Sequence, residues 1–182
     1  MNVIQTEFKN LLVLEPNVIR DDRGYFLETF NEAKFRIETG LNITFIQDNE
    51  SVSSKNVLRG LHFQLPPSSQ AKLIRVARGS VLDVVVDLRR SQPTYMQHYK
   101  ILLSAGNQKQ LFVPEGFAHG FLVLEDNTIF SYKCSNYYNR ANDRSILWND
   151  EAFGIDWGIE QPLLSEKDQF AMKFVDFDNP FL

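Results

Sequence analysis

Hydrophobic and polar positions alternate in short runs along most of this chain, and Gly, Pro, Asn and Asp stand between the runs. Runs of this length, rich in Val, Ile, Tyr and Phe, are typical of β-strands. The pattern predicts one or two strands over 11–19 and further strands over 25–30, 45–50, 57–64, 72–77, 81–88, 99–103, 109–113, 117–124 and 128–134. A polar loop is predicted from Ser51 to Asn56, and a turn from Ser104 to Asn107.

One helix is predicted over 31–39, because Asn31 suits an N-cap and Gly40 stands just past the end. The residues after Asp150 mix turns with a short helix and are expected to pack over one end of the strands. Short strands, hairpin-length turns and no internal repeat predict one all-β domain over residues 1–182, a β-sandwich or barrel with its core at about 10–140.

Composition narrows the class of protein. The net charge of −4 is spread over interspersed acids and bases, so no nucleic-acid or membrane surface is expected. Cys134 is the single cysteine, which rules out an internal disulfide and fits a reducing compartment. No N-terminal signal region is visible, and no apolar run approaches the roughly 18–20 residues of a membrane span. We expect a soluble cytoplasmic protein.

The run 57–64 carries Arg59 and His62 through an otherwise apolar segment. In a regular pleat Gly60, His62 and Gln64 would share one face, and Arg59 would lie on the other. An imidazole beside a glycine is suited to act as a general base on a bound ligand. The alternative is a core histidine bonded to a carbonyl, and these eight residues alone favour that alternative.

Two histidines on neighbouring strands, His62 and His119, also raise the possibility of a metal site. The residues after His62 are Phe63 and Gln64, with no histidine two positions on and no glutamate a few residues further. A metal site of the β-barrel type requires a third and often a fourth ligand, so the sequence disfavours it.

Several short motifs resemble the dTDP-4-dehydrorhamnose 3,5-epimerase family. They lie in family order from about Ile19 to Asp168 and read VLRGLHFQ at 57–64, PEGFAHGF at 114–121, DRGYF at 22–26, QDN at 47–49, YK at 132–133, YY at 137–138, ILWND at 146–150 and SEKD at 165–168. The resemblance implies a cupin-type jelly-roll β-sandwich with a few short helices, a homodimer, and no metal or other cofactor. It also implies epimerisation of a dTDP-4-keto-6-deoxyhexose at C3 and C5 in dTDP-L-rhamnose synthesis.

By this resemblance four residues carry the catalysis. His62 is the base, Asp168 orients it, Lys72 stabilises the developing oxyanion and Tyr132 donates a proton from the opposite face. A ketone at C4 acidifies the C–H bonds at C3 and C5, so inversion needs a base, an acid and a stabilising charge but no redox cofactor.

Each of these assignments has an alternative. Asp168 stands in the capping-box spacing Ser165-x-x-Asp168 and could cap a helix, and Asp83 is a rival carboxylate for orienting His62. Tyr132 could be a core tyrosine, with Tyr137 or Tyr138 easily confused with it. Lys72 could be a solvated lysine at a strand end.

The resemblance further implies residues that bind the nucleotide and the sugar. They are Arg23, Phe26, Glu28, Gln47, Asp48, Asn49, Arg59, His119, Tyr138, Asp143 and Lys167. Arg23 and Arg59 suit a diphosphate, and Phe26 or Tyr138 could stack on the base. The segment from Arg23 to Glu28 is expected to reach the site of the partner subunit.

Two residues of this binding set, Arg59 and Asp143, depart from the simplest expectation. If Arg59 lies on the outer pleat face, it must reach a phosphate at a strand bend or a barrel mouth. The family usually has glutamate where this chain has Asp143, which shortens one contact.

Three other functions are compatible with the same motifs. Relatives that invert only C3 or only C5 keep the same histidine, lysine and tyrosine. A metal-dependent cupin oxygenase or isomerase is a second alternative, and metal analysis would distinguish it. A non-catalytic sugar-nucleotide-binding module is a third, which the joint presence of His62, Lys72 and Tyr132 disfavours.

Overall fold

A computed structural model describes all 182 residues of the chain. The strands are β1 Asn2–Gln5, β2 Leu12–Glu15, β3 Val18–Asp21, β4 Gly24–Leu27, β5 Gln47–Ser53, β6 Leu58–Gln64, β7 Lys72–Arg78, β8 Ser80–Asp87, β9 His98–Ser104, β10 Gln110–Val113, β11 Phe117–Val123, β12 Thr128–Cys134 and β13 Asp143–Ser145. The helices are α1 Glu32–Thr39, α2 Glu166–Gln169 and a 3₁₀ turn at Phe174–Asp176. No helix is long and apolar enough to cross a lipid bilayer.

Two antiparallel sheets form a jelly-roll sandwich. The six-stranded sheet has the order β1-β2-β10-β7-β12-β5, and the five-stranded sheet has the order β13-β6-β11-β8-β9. Strands β3 and β4 form a separate hairpin. Strands β9 and β10 flank the predicted turn but lie in different sheets, so this connection crosses the sandwich. The all-β prediction is confirmed.

Apolar side chains are buried on both faces of each sheet. Between the sheets lies a cluster that includes Val85, Leu111, Phe121 and Phe130. The outer face of the five-stranded sheet carries Val84, which packs with Phe153, Trp157 and Phe181 of the C-terminal segment. Each fully buried Val, Leu or Phe contributes about 1.5–3 kcal/mol through removal from water, so all three layers stabilise the sandwich.

Helix α1 has both predicted caps. The Asn31 side chain accepts a hydrogen bond from the Lys34 backbone N–H at 3.1 Å, and Gly40 takes the left-handed conformation at φ 71°. Phe35 from this helix is buried in a cluster that includes Leu73 and Phe112 on the outer face of the six-stranded sheet. The predicted helix is confirmed, and the packing of its apolar face holds it in place.

Strand β5 is longer than predicted. It pairs with β12 as far as Ser53 opposite Thr128, so the predicted polar loop is wrong for residues 51–53. The residues alternate between exposed Asp48, Glu50 and Val52 on one face and less exposed side chains on the other. At the edge of a sheet the outer face can stay polar, which weakens the hydrophobic signal for a strand.

Strand β6 contains a bulge at Gly60, so the regular pleat expected from the sequence is wrong. His62 pairs with His119 and Arg59 pairs with Phe121, which places three steps of β6 against two of β11. Gly60 has φ 134°, and a Cβ there would lie 2.5 Å from Gly120 Cα. A glycine is therefore required, and the extra residue brings Arg59 to the same face as His62.

Candidate active site

A cavity of about 310 Å³ opens between the two sheets. It is lined by Asn49, Glu50, Ser51, Arg59, His62, Lys72, His119, Phe121, Phe130 and Tyr132. Three of the four predicted catalytic residues and three of the predicted binding residues therefore surround one space. His62 comes from the five-stranded sheet, whereas Lys72 and Tyr132 come from the six-stranded sheet on the opposite wall.

The fourth predicted catalytic residue, Asp168, contacts His62 from helix α2. Its Oδ1 bonds to His62 Nε2, and its Oδ2 accepts a hydrogen bond from Ser165 Oγ at 2.8 Å. The Asp168 backbone N–H donates to Ser165 Oγ at 3.2 Å, so Ser165 also caps the helix. Asp168 thus takes part in the cap and contacts the imidazole at the same time.

Asp168 is only 2% exposed, yet it is suited to remain a carboxylate. Burial alone would raise the pKa of Asp168, but hydrogen bonds from His62 and Ser165 and the nearby charges hold it below its usual range. A carboxylate at Nε2 favours the tautomer that carries its proton there. The other ring nitrogen of His62, Nδ1, is then free to accept a proton.

Asp83, the rival carboxylate, binds the other cavity histidine. His119 Nε2 lies 3.0 and 3.1 Å from the two Asp83 oxygens, and both side chains are buried. Burial lowers the pKa of His119, an effect that the Asp83 charge partly offsets. His119 and His62 are directly opposite on β11 and β6, and each imidazole has its own carboxylate, Asp83 for His119 and Asp168 for His62.

Lys72 and Tyr132 lie together on the opposite wall. The Lys72 Nζ is 5.7 Å from the centre of the Tyr132 ring, within the range of a cation–π contact. Burial lowers the pKa of Lys72 and raises the pKa of Tyr132. Lys72 is therefore not a freely solvated lysine, and Tyr132 keeps its phenolic proton at neutral pH.

Polar side chains of β5 continue this wall towards the loop after β12. Gln47 Nε2 donates to Asn49 Oδ1 at 3.1 Å, and Gln47 Oε1 accepts from the Tyr138 backbone N–H at 3.0 Å. Asp48 lies on the opposite face of β5, where it pairs with Lys133 at 2.9 Å. The structure thus places Asn49 at the cavity and Asp48 away from it.

A second polar cluster lies next to α2, outside the cavity lining. The Tyr138 hydroxyl donates to Asp143 Oδ2 at 3.2 Å, and Lys167 forms an ion pair with the same oxygen. Because Lys167 precedes Asp168 in α2, this ion pair and the His62 contact both attach the helix to the sheet edge formed by β13 and β6.

Like Asp48, three further predicted binding residues lie away from the cavity of their own chain. The Arg23 side chain is 90% exposed at the tip of the β3–β4 hairpin and pairs with Asp21. Phe26 is 68% exposed, and Glu28 pairs with Lys34 of α1 at 2.8 Å. A single chain therefore does not bring Arg23, Phe26 and Glu28 to His62.

Several residues at the cavity were not predicted from the sequence. Phe121 and Phe130 stack at 3.8 Å between ring centres with an angle of 12° and form the apolar floor. Ser51 lines the cavity from β5, and Ser53 on the same face binds Arg59. The two-residue spacing of Asn49, Ser51 and Ser53 is the signal that a longer β5 would have revealed.

The sandwich defines a cupin-type jelly-roll protein, and titratable side chains from both sheets line its interior cavity. No group of three or more His, Cys, Asp or Glu side chains is arranged to hold a metal ion.

Known proteins match this chain along almost its whole length. The family model described as dTDP-4-dehydrorhamnose 3,5-epimerase matches residues 5–176. The enzyme of that name from Shigella flexneri is 50% identical over 178 residues, which is 98% of each chain. The chain therefore belongs to the dTDP-4-dehydrorhamnose 3,5-epimerase family.

Solved structures agree with this placement. The dTDP-6-deoxy-D-glucose-3,5-epimerase of Legionella pneumophila, in complex with dTDP-4-keto-L-rhamnose, has a TM-score of 0.93 at 42% identity and covers 97% of this chain and 94% of its own. A 3'-monoepimerase from Streptomyces bikiniensis, in complex with dTDP-quinovose, has a TM-score of 0.87 at 32% identity. The match covers 93% of this chain and 86% of the monoepimerase chain.

Proposed function

We propose that this protein is an isomerase that converts dTDP-4-dehydro-6-deoxy-D-glucose to dTDP-4-dehydro-L-rhamnose by inverting C3 and C5. The observation that carries the proposal is the placement of His62 and Tyr132 on opposite walls of one cavity. Inversion of a carbon requires that a proton leaves one face and another arrives at the opposite face. A base and an acid on facing sheets are suited to this task.

In this mechanism Nδ1 of His62 removes the proton next to the C4 ketone. The electron pair of the broken C–H bond moves into the ring, and the C4 oxygen becomes an enolate oxygen. Lys72 supplies positive charge to that oxygen, and Tyr132 delivers a proton to the other face of the carbon. Positioned acids and bases each contribute about 10²–10⁴-fold. Once solvent restores both groups, the cycle repeats at the second carbon.

Asp168 supports the base in two ways. Its carboxylate holds the proton on His62 Nε2 and orients the ring, and it stabilises the imidazolium that forms when Nδ1 is protonated. Its low exposure keeps this charge close and poorly screened by water.

The nucleotide end of the substrate is assigned to cations and amides at the edge of the cavity. The Arg59 guanidinium suits the diphosphate, and Asn49 with Gln47 suits sugar or thymine edges. Lys167, Asp143 and Tyr138 form the neighbouring polar cluster.

We further propose a homodimer in which the segment from Arg23 to Glu28 completes the site of the partner subunit. The hairpin that carries Arg23 and Phe26 belongs to neither main sheet, and both side chains are exposed.

The free, buried thiol of Cys134 supports a reducing, cytoplasmic setting for this protein.

Mixing two inactive variants tests the shared site. Arg23→Ala and His62→Ala should each be inactive as pure proteins, but a mixed dimer has one intact site. Random exchange makes about half of the dimers mixed, so about a quarter of the wild-type activity should return. A mixture that stays inactive, or sedimentation as a monomer, would contradict the shared site.

Histidine substitutions test the base. His62→Ala should abolish solvent exchange at both C3 and C5. His98→Ala is the matched control, because His98 binds the Phe153 carbonyl at 2.9 Å and does not line the cavity. Near-normal exchange in His62→Ala would remove His62 from the role of base.

Two other functions have distinct outcomes. Because a 3'-monoepimerase shares the fold with a TM-score of 0.87, inversion of a single carbon is the second candidate, and label entering at only one carbon would identify it. A metal-dependent enzyme would lose activity on chelation, whereas the proposed epimerase should keep full turnover in excess EDTA.

A further inference from the structure

The hydroxyl of Ser53 accepts two hydrogen bonds from the Arg59 guanidinium. Arg59 Nη2 lies 3.1 Å and Arg59 Nε 3.3 Å from Ser53 Oγ. Ser53 is the last residue of β5 and is only 7% exposed, whereas Arg59 belongs to β6 of the other sheet. These bonds therefore join the two sheets beside the cavity.

We propose that Ser53 is a positioning residue that holds Arg59 ready for the diphosphate of the substrate. The inference rests on the proposed function, because the substrate there is a nucleoside diphosphate sugar. Ser53 is not one of the cavity-lining residues, and it acts through Arg59.

The charge of Arg59 is left available for an anion. Arg59 forms none of the ion pairs within the chain, whereas Arg23, Arg36 and Arg89 each pair with a carboxylate. Two of its nitrogens are held by Ser53, and Nη1 has no partner within the protein. A guanidinium that is held in place, carries an unpaired charge and has a free Nη1 is suited to bind phosphate oxygens.

The bulge at Gly60 and the length of β5 both contribute to this arrangement. Without the bulge Arg59 would point to the outer face of its sheet, and without residues 51–53 in β5 the hydroxyl would not lie opposite it. The bulge turns Arg59 towards the cavity, and the regular pairing of β5 as far as Ser53 places the hydroxyl beside it.

Loss of the Ser53 hydroxyl should weaken binding and leave the chemical step intact. A guanidinium that is no longer held must lose its rotational freedom when the diphosphate binds. We expect Ser53→Ala to raise KM and the Kd for dTDP about fivefold with kcat unchanged, because Ser53 does not contact the reacting carbons. Ser53→Thr keeps a hydroxyl and should restore both constants.

The experiment combines kinetics with a direct view of the Arg59 side chain. The ¹H–¹⁵N signal of Arg59 Nε should be protected from solvent exchange in the wild type and in Ser53→Thr, and exchange-broadened in Ser53→Ala. Ser54→Ala is the matched control, since Ser54 is exposed and its side chain bonds to nothing. Inorganic pyrophosphate serves as a second binding probe.

Each outcome decides the proposal. Unchanged Nε–H protection in Ser53→Ala, or lost protection with unchanged KM and pyrophosphate affinity, would overturn it. A fall in kcat equal to the rise in KM would also overturn it, because the effect would then reach the chemistry. If the wild type failed to turn over the sugar nucleotide, the proposed function would fail, while the Nε signal and pyrophosphate affinity would still decide the role of Ser53.

Discussion

Replacing Asp168 with asparagine separates the charge of the carboxylate from its shape. Asparagine has nearly the same volume and can still accept the hydrogen bond from Ser165, so helix α2 should keep its cap. The asparagine side chain is neutral, so it has no negative charge to keep the proton on His62 Nε2 or to stabilise the imidazolium. We therefore expect a folded protein with a slower chemical step.

The size of the effect follows from the contacts of Asp168. A hydrogen bond to a charged group contributes about 1.5–3 kcal/mol, and the carboxylate is too buried for water to replace the interaction. If this energy is realised only when His62 becomes charged, kcat falls by about 10- to 150-fold while KM changes little. Turnover assays with the sugar nucleotide measure both constants.

Ser165→Ala is the control for the helix cap. It removes the hydrogen bond that Ser165 Oγ donates to the Asp168 carboxylate and the one that it accepts from the Asp168 backbone N–H, but it leaves the charge opposite His62. We expect a loss of about 1 kcal/mol in unfolding free energy and a smaller fall in kcat than for Asp168→Asn. A kcat within threefold of wild type in folded Asp168→Asn, or an equal loss in Ser165→Ala, would refute the orienting role.

The pH dependence of stability provides an independent check. Because the pKa of Asp168 is held below its usual range in the folded protein, its ionised form stabilises the fold. That contribution is present above the unfolded pKa of about 3.9 and is lost as the pH falls through the lower folded pKa. Urea unfolding measures the free energy of unfolding of the wild type and of Asp168→Asn between pH 5 and pH 2. As the pH falls, this free energy should decrease less in the variant than in the wild type.

Three further substitutions test other parts of the site and fold. Lys72→Met should raise Tm by about 2–4 °C in calorimetry, because burial disfavours the charged amine. The same substitution should lower kcat by at least about 10²-fold. A lower Tm or an unchanged kcat would contradict this. Tyr132→Phe should increase exchange with retention relative to inversion in an NMR assay, and an unchanged ratio would point to another donor. Gly60→Ala should cost about 3 kcal/mol or more in unfolding free energy, because its Cβ would meet Gly120 Cα at 2.5 Å. Gly106→Ala, with 3.6 Å to the nearest atom, should be nearly neutral, and an equally stable Gly60→Ala would rule out the bulge.

Local patterns predicted those elements whose residues carry their own signal. The α1 helix has a good N-cap in Asn31 and a glycine at Gly40, and both caps act locally. Strand β13 at Asp143–Ser145 has no hydrophobic pattern, because it is an edge strand held by backbone pairing to β6. Such strands depend on a partner about 80 residues away and cannot be read from their own sequence.

The site was predictable only in part for the same reason. His62 and Asp168 are separated by 106 positions, and only the fold brings them together. The two faces of β6 could not be assigned because an interior glycine signals a bulge without telling which side chains it turns. The family resemblance already named Asp168 as the partner of His62 and left Asp83 as a rival, whereas the pairing of Asp83 with His119 is visible only in the structure.

NMR of dTDP-4-keto-6-deoxyglucose incubated with the protein in D₂O shows directly whether C3 and C5 both exchange their protons with solvent. If His62 and Tyr132 invert both carbons next to the ketone, deuterium enters at C3 and at C5, and the L-lyxo product appears. Absence of label at both carbons, with the substrate unchanged, would contradict the proposed function.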